Sequence, residues 1–244
     1  MRLRHGAGRG GIILIKAVIF DVDGTLVDSN DLHVEAWREA FRGYGKELSF
    51  EELHGQMGKG GDQLMPVFCT GEELGRFGEE LEGRRVELFK RDYLPRVRPF
   101  PRVRELFERV KAEGLQIALA SSAKKEELEQ HKKSMGVEDL LEAATSADDA
   151  ERSKPHPDIF QAALAGLRGV APAEAVVVGD TPYDVQAAAK AGMRTVGLLS
   201  GGFDGEALRG AGAVAVYRDV SDLLDNYDES PLAKGAADAA RGRG

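Results

Sequence analysis

Ile19-Phe20-Asp21-Val22-Asp23-Gly24-Thr25-Leu26 is the stretch on which the reading of this chain turns. It closes an apolar, β-branched run over residues 12–20, broken only by Lys16, which predicts a short buried strand. Successive strand residues point to opposite faces, so Asp21 and Asp23 can share one cavity while Val22 turns back into the core. Gly24 permits the tight reversal that follows. Taken alone, Asp-x-Asp-Gly is equally an acidic turn that ends a strand.

Working outward, the pattern after Asp28 turns helical. Leu32, Trp37, Ala40 and Phe41 share one apolar face, and further helical stretches follow near Glu51, near Asp62 and over 72–93. Pro95, Pro99 and Pro101 then mark a stiff connection. Beyond it, helices are expected over 102–113, 124–135, 157–167 and 183–191. Strands are expected over 115–120, near Ala143, and over 175–179, 195–199 and 213–217, with Gly136 and Gly192 placed to end helices. Such alternation implies an α/β fold, a Rossmann-like parallel sheet with helices on both faces. A small all-helical cap, residues 29–97, is inserted after the first strand. The core is expected at 11–28 and 98–228, with loose tails at 1–10 and 229–244. Ligands bind such sheets outside the carboxyl ends of their strands. Asp21, Ser121 and Asp180 each fall at such an end.

The bulk properties narrow the function. A chain of 244 residues, 42% of them hydrophobic, buries a full core, and its formal net charge of -8 argues against nucleic acid or an anionic membrane as partner. One cysteine, Cys69, forms no internal disulfide; it is read as packing, in a reducing, cytoplasmic setting. Arg2, Arg4 and Arg9 before an apolar run are reminiscent of a signal peptide, but Lys16 interrupts that run and no small-residue cleavage pattern follows. No segment has the length of a membrane span.

Four ordered segments carry a resemblance. Phe20-Asp21-Val22-Asp23-Gly24-Thr25-Leu26-Val27-Asp28-Ser29 resembles the first motif of the haloacid dehalogenase (HAD) superfamily. The match is to its helical-cap subclass of phosphoglycolate phosphatase and β-phosphoglucomutase-like hydrolases. Dehalogenases proper lack the second aspartate, so Asp23 favours phosphoryl transfer. Ile117-Ala118-Leu119-Ala120-Ser121-Ser122, Ser153-Lys154-Pro155-His156-Pro157-Asp158 and Val176-Val177-Val178-Gly179-Asp180-Thr181-Pro182-Tyr183-Asp184 match the remaining motifs in order.

The resemblance implies roles. Asp21 attacks phosphorus to form an aspartyl-phosphate, and Asp23 protonates the leaving alcohol and later deprotonates water. The neighbouring Asp21 charge is expected to raise the proton affinity of Asp23. Mg²⁺ would be held by Asp21, the backbone carbonyl of Asp23, and Asp180, with Asp184 behind them. Ser121 and Ser122 would hold phosphoryl oxygens, and Lys154 would neutralise them. Bland readings stand beside these: Ser121 as a helix N-cap, Lys154 as a surface lysine, and Asp184 as the third residue of a capping box opened by Thr181. In the cap, His33 approaches Asp23 or is simply packed, and Trp37 belongs to the cap core. Gly58-Lys59-Gly60-Gly61-Asp62 is a specificity loop or a plain surface loop.

The leading expectation is a Mg²⁺-dependent phosphatase of a small phosphorylated metabolite, a sugar phosphate or phosphoglycolate, acting as monomer or homodimer. The first rival is a β-phosphoglucomutase-like mutase, weakened because Lys59, Gly60 and Gly61 supply no phosphate-gripping arginine, with Lys124 and Lys125 as substitutes. The second rival is a non-catalytic phosphometabolite-binding module.

Overall fold

The computed structural model describes residues 14–233. Strand β1, Ala17–Phe20, is wholly buried and occupies the middle of the sheet. Residues 12 and 13 of the expected strand lie outside the described residues, and 14–16 fall before the strand, with Leu14 exposed. The chain reverses at Gly24, whose φ of 75° is the left-handed conformation that glycine tolerates best. It continues into the two-residue strand β2, Val27–Asp28. Four helices follow: α1, Asn30–Arg42; α2, Phe50–His54; α3, Gly61–Phe68; and α4, Gly71–Leu88. Both α2 and α4 open on complete capping boxes, Ser49 with Glu52 and Thr70 with Glu73. A π turn over Phe89–Tyr93 leads to strand β3, Arg98–Pro99, which pairs antiparallel with β2.

Alternation then begins: α5, Val103–Ala112; β4, Gln116–Ala120; α6, Lys125–Met135; β5, Ala143–Thr145; α7, Asp158–Ala165; β6, Ala175–Gly179; α8, Pro182–Lys190; β7, Arg194–Leu198; α9, Gly205–Ala211; β8, Ala215–Tyr217; α10, Val220–Asp225. The six strands run in the order β5-β4-β1-β6-β7-β8, every pair parallel. From β1 the chain builds outward on one side, then crosses back to build the other. The carboxyl end of β1 is therefore the switch point at which such sheets open a crevice.

Strand periodicity explains the two layers. Val18, Phe20, Ile117, Leu119, Val176 and Val178 face α5 and α10, where Phe20 stacks on Phe107 at 4.6 Å. The intervening Ala17, Ile19, Ala118, Ala120 and Val177 face α7 and α8. Each fully buried Val, Ile or Phe contributes about 1.5–3 kcal/mol by leaving water. A separate apolar cluster, with Trp37, Phe41, Leu53, Leu64 and Leu81, holds α1 to α4 together, and Cys69 is packed into it as a free thiol. Part of the expected carboxyl-terminal tail is packed, since Ser230 and Leu232 are fully buried and Leu232 joins the sheet core; residues 1–10 and 234–244 of the expected tails lie outside the described residues. Among the described residues, no helix is long and apolar enough to cross a membrane.

Candidate active site

The carboxyl ends of β1, β4 and β6 converge. Asp21 follows β1 directly, and its N–H donates to the Val178 carbonyl at 2.9 Å, which locks its backbone to β6. Asp180 follows β6, and Asp184 lies in the first turn of α8. One oxygen from each of Asp21, Asp180 and Asp184 lies within 4.8 Å of the others, and all three residues are buried. Lys154, itself 1% exposed, donates to Asp21 Oδ1 and stands 2.7 Å from Asp184 Oδ1. The surface-lysine reading of Lys154 is excluded by this burial. Thr25 Oγ1 donates to Asp180 Oδ1 at 2.6 Å, and Asn30 Nδ2 donates to Asp180 Oδ2 at 2.9 Å.

Three carboxylates against one ammonium leave an excess of negative charge in a buried place. Burial raises the Asp21 carboxyl, the Lys154 ammonium lowers it and Asp184 raises it again, leaving it at about 7. Burial, then Asp184 and Asp21, push Asp180 well above the carboxylate range against the hydrogen bonds from Thr25 and Asn30. For Lys154, burial opposes the charge, but Asp184 and Asp21 more than compensate and hold it above the lysine range. A hard dication suits this all-oxygen set, whose three carboxylates carry more negative charge than Lys154, already 2.7 Å from Asp184 Oδ1, can offset. The other oxygen, Asp184 Oδ2, accepts from Thr181 N at 3.0 Å and Thr181 Oγ1 at 2.7 Å, so the capping box is also real.

Asp23 sits across the crevice. Its Oδ1 accepts from Ser29 Oγ at 2.7 Å and meets His33 Nε2 at 3.2 Å; its Oδ2 accepts from Ser121 Oγ at 3.3 Å. Burial would raise Asp23, but the hydrogen bond and charge of His33, the charge of His131 and the Ser29 hydroxyl outweigh it and hold Asp23 below the carboxylate range. This overturns the expectation of a raised Asp23. The repulsion between neighbouring carboxylates appears at Asp21 instead, because imidazoles crowd Asp23 and none crowds Asp21.

Ser121 is buried and its hydroxyl accepts from Ala123 N at 3.0 Å. The residue capping α6 is Lys124, so the N-cap reading of Ser121 fails, and the helix starts further from the crevice than the motif suggested. Ser122 lines the cavity beside Ala123. That cavity, about 40 Å³, is bounded by Asp21, Asp23, His33, Lys59, Arg85 and Lys154 among others. It has room for about three waters, less than a phosphorylated sugar would fill.

The loop before α3 closes it. A Cβ at Gly60 would lie 2.0 Å from Ser153 Oγ, next to Lys154, which shows how near the backbones run. Ser153 N donates to Asp62 at 3.2 Å, and Tyr183 Oη donates to the Gly55 carbonyl at 2.6 Å. Gly61 faces Glu82 of α4. Lys59 Nζ donates to Gln56 at 2.6 Å and lies 4.6 Å from the centre of the Tyr183 ring. Trp37 both fills its cluster and borders the cavity. Lys124 lines the adjoining cleft with Gly60 and Arg85, whereas Lys125 turns to the groove beyond.

Four contributors escaped the sequence reading: Thr25, Asn30, Arg85 and His131. Thr25 lies within the quoted stretch and Asn30 shortly after it, and both were open to inspection as donors. Arg85 lies 5.2 Å from the Trp37 ring with its Nε buried and unpartnered, and its place in the cavity depends on how α4 packs. Glu127 and His131, spaced four apart, shared a helix face in plain sight.

Comparison with known proteins settles the family. The family model for haloacid dehalogenase-like hydrolases matches residues 18–198. The chain belongs to the HAD-like hydrolases. It is 34% identical over 206 residues to the phosphorylated carbohydrates phosphatase of Thermotoga maritima, covering 84% of this chain and 94% of that protein. It is 27% identical over 210 residues to the validoxylamine A 7'-phosphate phosphatase of Streptomyces hygroscopicus subsp. limoneus, covering 86% and 96%. Among solved structures, a hydrolase from Pseudomonas syringae superposes with a TM-score of 0.79 at 32% identity, covering 88% of this chain and 98% of that one. Like the Thermotoga and Streptomyces relatives, this HAD-like chain is a phosphatase.

Proposed function

We propose that this HAD-like phosphatase hydrolyses a small phosphorylated carbohydrate through an aspartyl-phosphate on Asp21. The observation that carries the reading is Asp21 itself: buried, held by Lys154, and facing Asp23 across one closed cavity. A carboxylate oxygen of Asp21 attacks phosphorus as the ester P–O bond breaks, and Asp23 gives a proton to the leaving alkoxide. Asp23 then takes a proton from water as that water attacks phosphorus, which breaks the bond to Asp21 and frees inorganic phosphate. Asp23 must be protonated for the first half. The negative phosphoryl group arriving beside it favours that, and His33 Nε2, 3.2 Å away, is a ready donor.

Lys154 and the Ser121 and Ser122 groups would hold the phosphoryl oxygens, while Asp21, the Asp23 backbone carbonyl and Asp180 would hold Mg²⁺, with Asp184 behind. When bound, that ion neutralises charge between phosphate and carboxylates. The name of the Thermotoga relative supports the carbohydrate class. A cytoplasmic setting is part of the proposal, supported by the free, buried Cys69.

Arg85 and Lys59 give the mutase reading its support, since both are cap cations bordering the cavity, where the glycines at 60 and 61 offer none. Phosphate release from a panel of sugar phosphates, with Mg²⁺ and with EDTA, tests the proposal. Release that needs Mg²⁺ is expected; full activity in EDTA, or isomerisation outpacing release, overturns it.

A further inference from the structure

Behind Asp23, on the side away from the three-carboxylate cluster, lies a second donor set. His33 Nε2 is 3.2 Å from Asp23 Oδ1 and 3.7 Å from Glu127 Oε1, and one ligand atom from each of Asp23, His33 and Glu127 lies within 4.8 Å of the others. His131 Nε2 adjoins them, 3.7 Å from Asp23 Oδ1 and 3.8 Å from Glu127 Oε1. His33 is 7% exposed, and Glu127 and His131 are each 2% exposed. Glu127 Oε1 and His131 Nε2 have no hydrogen-bond partner, although both are fully buried and aimed at this point. Unsatisfied buried groups cost on the order of 1–3 kcal/mol each, which makes a pair converging on one place informative.

We propose that Asp23, His33 and Glu127 form a cation site for a first-row transition-metal dication of the zinc type, and that its occupancy stops turnover. Nitrogen and oxygen donors about 2.0–2.2 Å from a tetrahedral zinc lie about 3.3–3.6 Å apart, close to the two spacings from His33, 3.2 Å to Asp23 and 3.7 Å to Glu127. Three protein donors leave a fourth position, next to His131. The imidazole separates this set chemically from Asp21, Asp180 and Asp184: mixed nitrogen and oxygen donors favour zinc, while all-carboxylate donors favour Mg²⁺. Asp23 and His33 border the catalytic cavity, so an ion reaches the set along the substrate's route. The inhibitory half rests on the proposed proton role of Asp23, whose Oδ1 the cation would occupy.

Zinc is added to the full-length protein in Mg²⁺. Binding is followed by competition with a chromogenic chelator, and location by anomalous scattering at the zinc edge from soaked crystals. The expected result is a peak enclosed by Asp23, His33 and Glu127, with inhibition that chelation and fresh Mg²⁺ reverse. Glu127→Gln, which keeps the side-chain shape, should weaken both zinc binding and inhibition about 10-fold or more while Mg²⁺-supported turnover persists. Asp180→Asn, disabled in the other cluster, should bind zinc as the wild type does. A peak only among Asp21, Asp180 and Asp184, or zinc binding indifferent to Glu127→Gln and lost in Asp180→Asn, overturns the site. The peak's position is independent of what Asp23 does in turnover. Zinc bound at the set without inhibition therefore overturns the inhibitory half alone, and the proton role with it.

Discussion

At the scale of single residues, the account turns on which carboxylate does what. Asp21→Asn keeps the size of the side chain but removes its nucleophilicity, so turnover should fall to background in a phosphate-release assay while circular dichroism stays unchanged. Asp23→Asn should still bind Mg²⁺ but lose most of kcat, by about 10²–10⁴-fold, the usual worth of a general acid–base group. Two glycines give a matched contrast. A Cβ at Gly201 would lie 1.7 Å from Asp180 Oδ2 and 2.8 Å from Asn30 Nδ2, so Gly201→Ala must displace a metal-site carboxylate and should abolish activity. A Cβ at Gly75, inside α4, meets nothing within 4 Å, so Gly75→Ala should stabilise the fold by about 0.5–1 kcal/mol in urea melts with activity intact. The positions of Asp21 and Asp180 were legible in the sequence because each follows an apolar strand. The proton affinity of Asp23 was not, because the approach of His33 stood as one of two readings and no local pattern placed His131 beside it. The imidazoles of His33 and His131 reach it from α1 and α6.

At the scale of elements, α4 is the surprise. Its length and amphipathic pattern were readable, but which side chain looks into the cavity depends on the packing of α1 against α4 through Trp37, Phe41 and Leu81. The search for a cap cation at residues 59–61 therefore missed Arg85. Arg85→Ala should raise KM for a sugar phosphate more than it lowers kcat, because Arg85 touches no reacting atom; steady-state kinetics separates the two. An unchanged KM would remove Arg85 from substrate binding. The start of α6 was legible to within a residue, expected at 124 and found at Lys125, but the role of Ser121 before it was not. Ser121 follows a strand and precedes a helix, but the turn through Ser122 and Ala123 places Lys124, not Ser121, at the cap.

At the scale of the whole molecule, the sheet gathers like charges that folding alone does not reconcile. Asp21 binds its proton more tightly when folded, at about 7 against an ordinary value of 3.8, and Asp180 is raised in the same sense. In that interval the folded chain holds more protons than the unfolded one, so the stability of the metal-free protein falls as pH rises from about 4 to about 7. Mg²⁺ should cancel this loss, and the rise in Tm on adding Mg²⁺ should be larger at pH 8 than at pH 5. An equal rise at both would show that the carboxylates do not share the ion. The parallel sheet and its two helical layers followed from strand–helix alternation, whereas the strand order and the closed cavity arise from contacts between distant segments, such as Tyr183 with Gly55, that no local pattern announces. The central claim is a phosphoryl group carried on Asp21. The most direct measurement is to quench the enzyme during turnover, treat it with borohydride, which reduces an aspartyl-phosphate to homoserine, and sequence its peptides by mass spectrometry. The account predicts homoserine at position 21 only when substrate and Mg²⁺ are both present. Steady turnover with unmodified aspartate at position 21 would contradict it.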